Sequence, residues 1–495
     1  MPKKSQKETM PEVFLAGMYP KNRIYYLRQQ KAIRKIAPLL YTSNLEASID
    51  DIVHRNLWQI TGMLYPNAVI SERTAVEMKA ASDGSIFVIS NKKRPTQIGS
   101  FVIRPKKGVA AQISDTPFME NLFLASPARI ILENVSKTKS NSSKTSSRIL
   151  NRVELEEYLE NIIKQNGEYA INKLRSEMRN LAITLKCEKE FEIVNKIISA
   201  LLRTHEMKLE SKSGTARSKG IPFDDKAVEI FATLSAELER TAPIVRHCPK
   251  AEKNLYFFEA YFSNYIEGTK FEINDAHDII YKNVKSQRPE DAHDIIGTYK
   301  IVSNSHEMKQ TPQTFDNLVE ILKYRHKILL AGRTDKKPGE FKLLQNQAGA
   351  TVFVKPDLVI GTLKQGFEIY QKLTTPFARA VFVMFLTTQV HPFNDGNGRI
   401  GRIMMNAELT AANEQRIIIP TVYRNNYLSA LRALSQNTTA TALIKMLDFA
   451  QKWTAAVNWA DFKTAQETLK ITNAFTDSNE ADDLGIRLTL PSRVI

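Results

Sequence analysis

The chain has 495 residues, 43% hydrophobic and 25% charged, with two cysteines and a formal net charge of +16. That length is too great for one core, so roughly two to four domains are expected, and the composition is that of an ordinary soluble globular protein. No apolar run reaches the roughly 18–20 residues of a membrane span, which excludes a helical membrane protein.

The first residues, MPKKSQKETMPEVF, are basic and polar without an apolar h-region, so no signal peptide is expected. Cys187 and Cys248 lie far apart and cannot alone make a metal site; a cytoplasmic protein is expected, in which they are not expected to pair. Residues 1–22 read as a loose tail. Over 23–135, two helical stretches (IYYLRQQKAIRKIAPLLY and SIDDIVHRNLWQITGML) precede three alternating runs, SIFVIS, SFVIRP and VAAQIS, which predicts a small α+β module over 1–135. Residues 1–150 hold 23 Lys and Arg against 11 Asp and Glu, a net +12. Such asymmetry suits a polyanion, most simply nucleic acid, although a plain basic surface also accounts for it.

The segment SKTKSNSSKTSSR, residues 136–148, contains no large apolar residue and reads as a flexible linker. A helical region follows over 149–222, closed by the polar break ESKSGTARSKGIP. Residues 223–460 are again mainly helical, with short strand-like patterning at 341–354, and 461–495 read as a C-terminal tail. DAHDII occurs at both 275–280 and 291–296. A metal site built from His277, Asp278, His293 and Asp294 is one reading; two helix starts with acids near their positive ends is the better one, because no further ligands cluster nearby.

The densest chemistry lies at 391–402, HPFNDGNGRIGR. The preceding stretch, PFARAVFVMFLTTQV, is apolar nearly all round and predicts a buried helix that delivers His391 at its end. Phe393 is expected to anchor the loop in the core. Gly396 and Gly398 flank Asn397 at the start of the next helix, where unpaired N–H groups favour an anion. Arg399 and Arg402 share a face of that helix and suit a polyphosphate. Asp395 would repel phosphate unless a cation such as Mg²⁺ lay between them, and His391 can take a proton from an incoming hydroxyl. The set describes nucleotidyl or phosphoryl transfer onto a hydroxyl.

HPFNDGNGRIGR resembles the signature of the Fic (filamentation induced by cAMP) family, His-Pro-Phe-x-(Asp/Glu)-Gly-Asn-Gly-Arg-x-x-Arg, with every specified position filled. The resemblance covers about 250–440 and includes FSNYIEGTKFEINDAHDII, PGEFKLLQNQAGATVFVKP and IPTVYRNNYLSAL. It implies an all-helical core with a short β-hairpin flap, preceded by the α+β module and a helical linker region, in a mainly α protein. It also implies AMP transfer from ATP to a Ser, Thr or Tyr hydroxyl of a target protein, or of the chain itself. By position, His391 would be the base, Asp395 the Mg²⁺ ligand, and Gly396, Asn397 and Gly398 the anion hole. Arg399 would hold the phosphates, Arg402 would grip the γ-phosphate, and Tyr427 would border the adenine. The stretch 341–354 stands in the place of the family's flap, which pins a target backbone.

SNYIEG, residues 263–268, matches the family's inhibitory pattern, Ser/Thr-x-x-x-Glu-Gly/Asn. Ser263 and Glu267, four apart, would share a helix face and aim Glu267 at Arg402 as a bidentate pair. In the first third, YPNAVISERTAVEMKAASDGSIFVIS and SPARIILENVS resemble the AbiEi type of abortive-infection antitoxin, whose members commonly begin with a winged helix; AIRKIAPLLY resembles the end of such a unit. That resemblance implies a DNA reader. Two other readings stay open: a DNA-binding regulator that keeps the Fic fold as a nucleotide sensor, and a Fic enzyme that removes AMP. A homo-oligomer is left open, and no membrane partner is expected.

Overall fold

A computed structural model of the chain describes residues 10–135, 146–241, 245–248, 252–349 and 351–491, and divides into two units, Met1–Gly220 and Ile221–Ile495. Among the described residues no helix is long and apolar enough to cross a membrane.

The first unit is more ordered at its start than the sequence suggests. Part of the expected loose tail is the strand Val13–Leu15, with Val13 and Phe14 fully buried. The helix expected across 24–41 stops early, at Lys21–Gln29, and the rest is the strand pair Arg34–Ala37 and Leu40–Thr42. Leu40–Thr42 lies between the other two strands, antiparallel to both, so the pairing supplies backbone partners that helix propensity could not outweigh. The helices Ile49–Arg55 and Leu57–Leu64 follow, then a six-stranded mixed sheet that includes Ser85–Ile89 and Phe101–Lys106 as a parallel pair.

The run VAAQIS forms no strand. The buried guanidinium of Arg129 takes the carbonyls of Val109 (2.6 Å) and Ala110 (3.1 Å), so that backbone is held by a side chain rather than a ladder. Of the expected linker, 136–145 lie outside the described residues; Ser146 N–H donates to Asp83 (2.9 Å) and Arg148 pairs with buried Glu72 (2.5 Å). Two helices, Arg152–Leu185 (interrupted at Gly167) and Glu188–Leu201, continue the unit. The polar break after them holds a further helix, Lys212–Ser218, whose N-cap Ser211 accepts from Gly214 N–H at 3.0 Å. Polar composition concealed it because the helix packs small residues, Ser213, Gly214 and Ala216.

The second unit is helical around one core, with one two-stranded hairpin among the described residues, Gln347–Ala348 against Thr351–Val352. Its centre is the helix Pro376–Val390, buried on nearly every side, and the helix Asn397–Ala411 that follows the signature loop. The helix Lys253–Ile266 carries an aromatic face, and here the expected C-terminal tail is overturned. Residues 461–491 contain the helices Phe462–Ile471 and Ser478–Leu484, with Ala465 and Leu469 fully buried. Phe462 stacks on Phe258 (5.4 Å between centroids) and Phe475 on Phe262 (5.4 Å), which covers apolar surface that water would otherwise meet.

Candidate active site

Thr375 caps the helix Pro376–Val390 by accepting from Ala378 N–H, and Pro376 occupies its first position, where no N–H is required. The helix ends at His391, whose backbone is left-handed (φ +53°) while its N–H still donates to Thr387 O at 3.0 Å. A side chain rarely adopts this conformation without a local reason. Here it turns the imidazole back so that Nδ1 meets Thr388 O at 3.2 Å. A carbonyl oxygen only accepts, so Nδ1 carries the hydrogen and Nε2 keeps its lone pair. Burial pushes the imidazole pKa down to about 4, and nearby Lys342 adds to the effect, so His391 is neutral at physiological pH.

The loop after it is braced from inside. Phe393 is fully buried and stacks on His326 (3.8 Å, 3°). Asn397 exchanges two hydrogen bonds with Phe393, accepting from its N–H and donating to its O, each at 2.9 Å. The amide of Asn397 is thus committed to the loop, which leaves its backbone N–H as its contribution to the expected anion hole. Gly396 opens the next helix at φ +73°, where a Cβ would lie 3.2 Å from Leu329. Asp395 stays 41% exposed, with Oδ1 accepting from Gly396 N–H at 2.6 Å and 3.6 Å from Arg399.

Both arginines are buried. Arg399 donates to Asp294 (2.6 Å) and Asn264 (3.3 Å), and Asp294 also pairs with Arg333 at 2.9 Å. Asp294 comes from the second DAHDII copy and belongs to this site. Its counterpart Asp278 pairs on the surface with Lys282 at 2.8 Å. The repeat therefore has one structural half and one surface half. Asp294→Asn would leave two guanidiniums facing an amide, and unfolding in urea is expected to show a loss of about 3 kcal/mol. An unchanged midpoint would mean that Arg399 and Arg333 find other acceptors.

Arg402 is held by the helix Lys253–Ile266. Its Nε donates to Ser263 Oγ (3.0 Å), and its Nη2 to Ser263 O (2.8 Å) and Glu267 Oε1 (2.7 Å). The expected bidentate pair is replaced by a shared grip, because Glu267 is the cap after the last helical residue and reaches the guanidinium with one oxygen while Ser263 takes the rest. Glu267 Oε1 lies 2.3 Å from where a Cβ on Gly398 would stand, directly at the N-terminus of the signature helix. Burial pushes the Glu267 carboxyl up, but Arg402 and Arg399 outweigh it and hold it below the usual carboxylate range. An internal anion thus occupies the helix N-terminus where a phosphate is expected.

A cavity of about 660 Å³ opens here, lined among others by Glu267, Thr351 of the flap, His391, Gly398, Arg402 and Tyr427. Tyr427 is 1% exposed, with its ring 5.9 Å from the Arg402 guanidinium and its hydroxyl 3.3 Å from Met384 Sδ. The sequence-predicted residues His391, Asp395–Arg399, Arg402, Tyr427, Ser263 and Glu267 thus lie around one region of the second unit.

Residues 314–409 match the Fic/DOC family. The chain carries a Fic domain. It is similar to protein adenylyltransferase Fic of Drosophila willistoni, 26% identical over 259 residues that make up 50% of each chain. The Aedes aegypti protein of the same name is 28% identical over 196 residues, 38% of each chain. The chain spans about half or less of the length of the curated relatives it matches. Among solved structures it is similar to Fic-1 of C. elegans (16% identity, 64% of this chain and 97% of that one, TM-score 0.36). It is also similar to a Fic domain containing signaling protein from Bacteroides thetaiotaomicron (18%, 49% and 98%, TM-score 0.36).

Several supports of the Fic domain had no sequence signal. His326, in the last turn of the helix Phe315–Leu329, accepts from Gly339 N–H (2.8 Å) through Nδ1, so its Nε2–H donates to Asp395 O (3.1 Å). Burial pushes this imidazole down to about 4 as well. Lys342, Asn346 and Phe353 belong to the same group. Only their place within the 341–354 flap stretch hinted at a role, and nothing in their spacing tied them to His391.

Proposed function

We propose that the chain is an autoinhibited protein adenylyltransferase that moves AMP from ATP to a hydroxyl of a target protein. The observation that carries this is the neutral His391, with a free Nε2 lone pair, sharing one cavity with Arg402, whose donors are held by Ser263 and Glu267. The name borne by its relatives, protein adenylyltransferase, supports the reading. In the reaction the target hydroxyl oxygen bonds to the α-phosphorus, its proton passes to His391 Nε2, and the bond to the β-phosphate oxygen breaks to release pyrophosphate. N–H groups at the start of the Asn397–Ala411 helix, with Arg399 and Arg402, stabilise charge on the phosphates.

Asp395 is the residue that would hold Mg²⁺. Its carboxylate is part-exposed beside the phosphate region, and among the described residues no cluster of three or more ligating side chains forms a self-contained metal site. A cation there would share phosphate oxygens and water, as Mg²⁺ commonly does, and would supply neutralisation of phosphate charge. Adding the Glu267→Gly protein with ATP to a cell lysate tests the whole reading. Mass spectrometry is expected to find AMP on a Ser, Thr or Tyr hydroxyl, and a lysate without any such adduct would refute it.

A second reading, of the first unit, is DNA binding. The helix Lys21–Gln29 leaves Tyr25 and Tyr26 65% and 60% exposed beside exposed Arg23 and Arg28, and the strand pair Arg34–Ala37 and Leu40–Thr42 follows it. Residues 13–45 hold six basic side chains and no acid. Exposed aromatic and basic groups on one short helix suit a phosphate-lined groove. Arg28→Glu is expected to shift elution from a DNA column to lower salt; elution at the same salt as the wild type would remove this helix from the interface.

A further inference from the structure

The base of the flap is fastened to the backbone around His391. Lys342 N–H donates to Pro392 O (2.8 Å), and Lys342 Nζ donates to Asn346 Oδ1 (2.7 Å) and Val390 O (3.5 Å). Asn346 Nδ2 donates to Phe393 O at 2.9 Å. Three carbonyls flanking His391 are therefore held by two residues of the chain entering the hairpin. Across the hairpin, Phe353 N–H donates to Asn346 O (3.2 Å) and closes its root. From there the Phe353 ring lies flat on the His391 imidazole, with centroids 3.7 Å apart and planes 7° from parallel.

The hydrogen bond from Nδ1 to Thr388 O holds one edge of the imidazole, but alone it leaves the ring free to swing until that bond is lost and the Nε2–H tautomer competes. A second ring against its face removes this freedom. The charged groups near the imidazole do not supply such a restraint. Lys342, on the chain entering the flap, repels its proton, while Glu267, capping the inhibitory helix, and Asp395, on the signature loop, attract it from other sides. We propose that Phe353 is a positioning residue for the base: it clamps His391 so that Nε2 serves the cavity, and the Lys342–Asn346 fastening makes the flap and the base one mechanical unit. A target strand that settles on the flap thereby acts on the group that accepts its proton.

The kinetic arm of the test rests on the adenylyl-transfer reading; the spectroscopic arm does not. In the full chain carrying Glu267→Gly, Phe353→Ala is expected to lower kcat by about ten- to a hundredfold while KM for ATP changes by no more than about twofold, as misplacement of a reacting group does. Phe353→Tyr is expected to restore most of that loss. Independently, ¹⁵N-histidine spectra of the full chain without nucleotide, with the His391 signals assigned by their disappearance in His391→Gln, are expected to show the Nδ1–H tautomer in the wild type and a mixture in Phe353→Ala. Asn346→Ala, which cuts the fastening without touching either ring, is expected to move the spectrum the same way. An unchanged tautomer in both variants would overturn the proposal, and so would a Phe353→Ala effect confined to KM for the target protein. If no variant transfers AMP, the adenylyl-transfer reading fails and the spectra still decide the role of Phe353.

Discussion

Glu267→Gly is expected to raise AMP incorporation from α-labelled ATP roughly ten- to a hundredfold. A hydrogen bond to a charged group is worth about 1.5–3 kcal/mol, and each 1.4 kcal/mol of barrier corresponds to roughly tenfold in rate. The substitution removes the carboxylate standing over Gly398 and frees one of the two hydrogens of Arg402 Nη2, while the Ser263 contacts to Arg402 remain. Ser263→Ala removes one of three acceptors and leaves the carboxylate in place, so its rise is expected to be much smaller. Equal labelling by the wild type and Glu267→Gly would show that the carboxylate does not restrain the reaction. Mild acid offers no shortcut to the active form: Arg402 and Arg399 outweigh burial and hold the Glu267 carboxyl below the ordinary range, which favours its charged form.

His391→Ala, placed in the Glu267→Gly chain, is expected to cost about 10²–10⁴ in kcat, the range of a lost general base. ATP binding by calorimetry is expected to persist, since phosphate contacts come from the next helix. The pH dependence follows from the direction of the shift. The folded pKa of His391, about 4, lies below the ordinary value of 6.5, so the base form is populated above about 4 and lost as pH falls through it. The acid limb of kcat/KM in Glu267→Gly is therefore expected near pH 4, and a limb at pH 6.5 would count against a buried neutral base. Fold stability has the same sign. His326 is fully buried and also near 4, so protonation favours the unfolded chain. Its contribution, about 3 kcal/mol, is present above pH 6.5 and lost progressively between about 6.5 and 4.

The geometry of 391–402 was legible because it is local: a histidine, an acid, two glycines and two arginines within one helix-loop-helix junction keep their order in space. Glu267 was legible through a six-residue pattern, although its place as a cap, and hence its single-oxygen grip, depends on where the helix ends. Asp294 was passed over because an acid near a helix start has an ordinary explanation, and only the tertiary fold brings Arg399 against it. Phe353 and His326 are single aromatic residues whose meaning lies in what they stack upon. The strands at 34–42 were misread for a related reason: their partner at 13–15 lay in a stretch too short and polar at its margins to suggest pairing. Residues 461–491 looked like a tail because Phe462 and Phe475 are isolated in sequence, and their packing surface is some two hundred residues upstream.

Glu267 stands one step beyond the last turn of its helix, beside Gly268 at φ +100°. Withdrawal of the carboxylate thus asks only for fraying of a helix end, an opening that lies at the low-energy end of native fluctuations. On the adenylyl-transfer reading, the resting protein is expected to be a mixture in which a small active fraction coexists with the silent one. Its idle rate becomes a thermometer of that local opening, steeper with temperature than the chemistry alone.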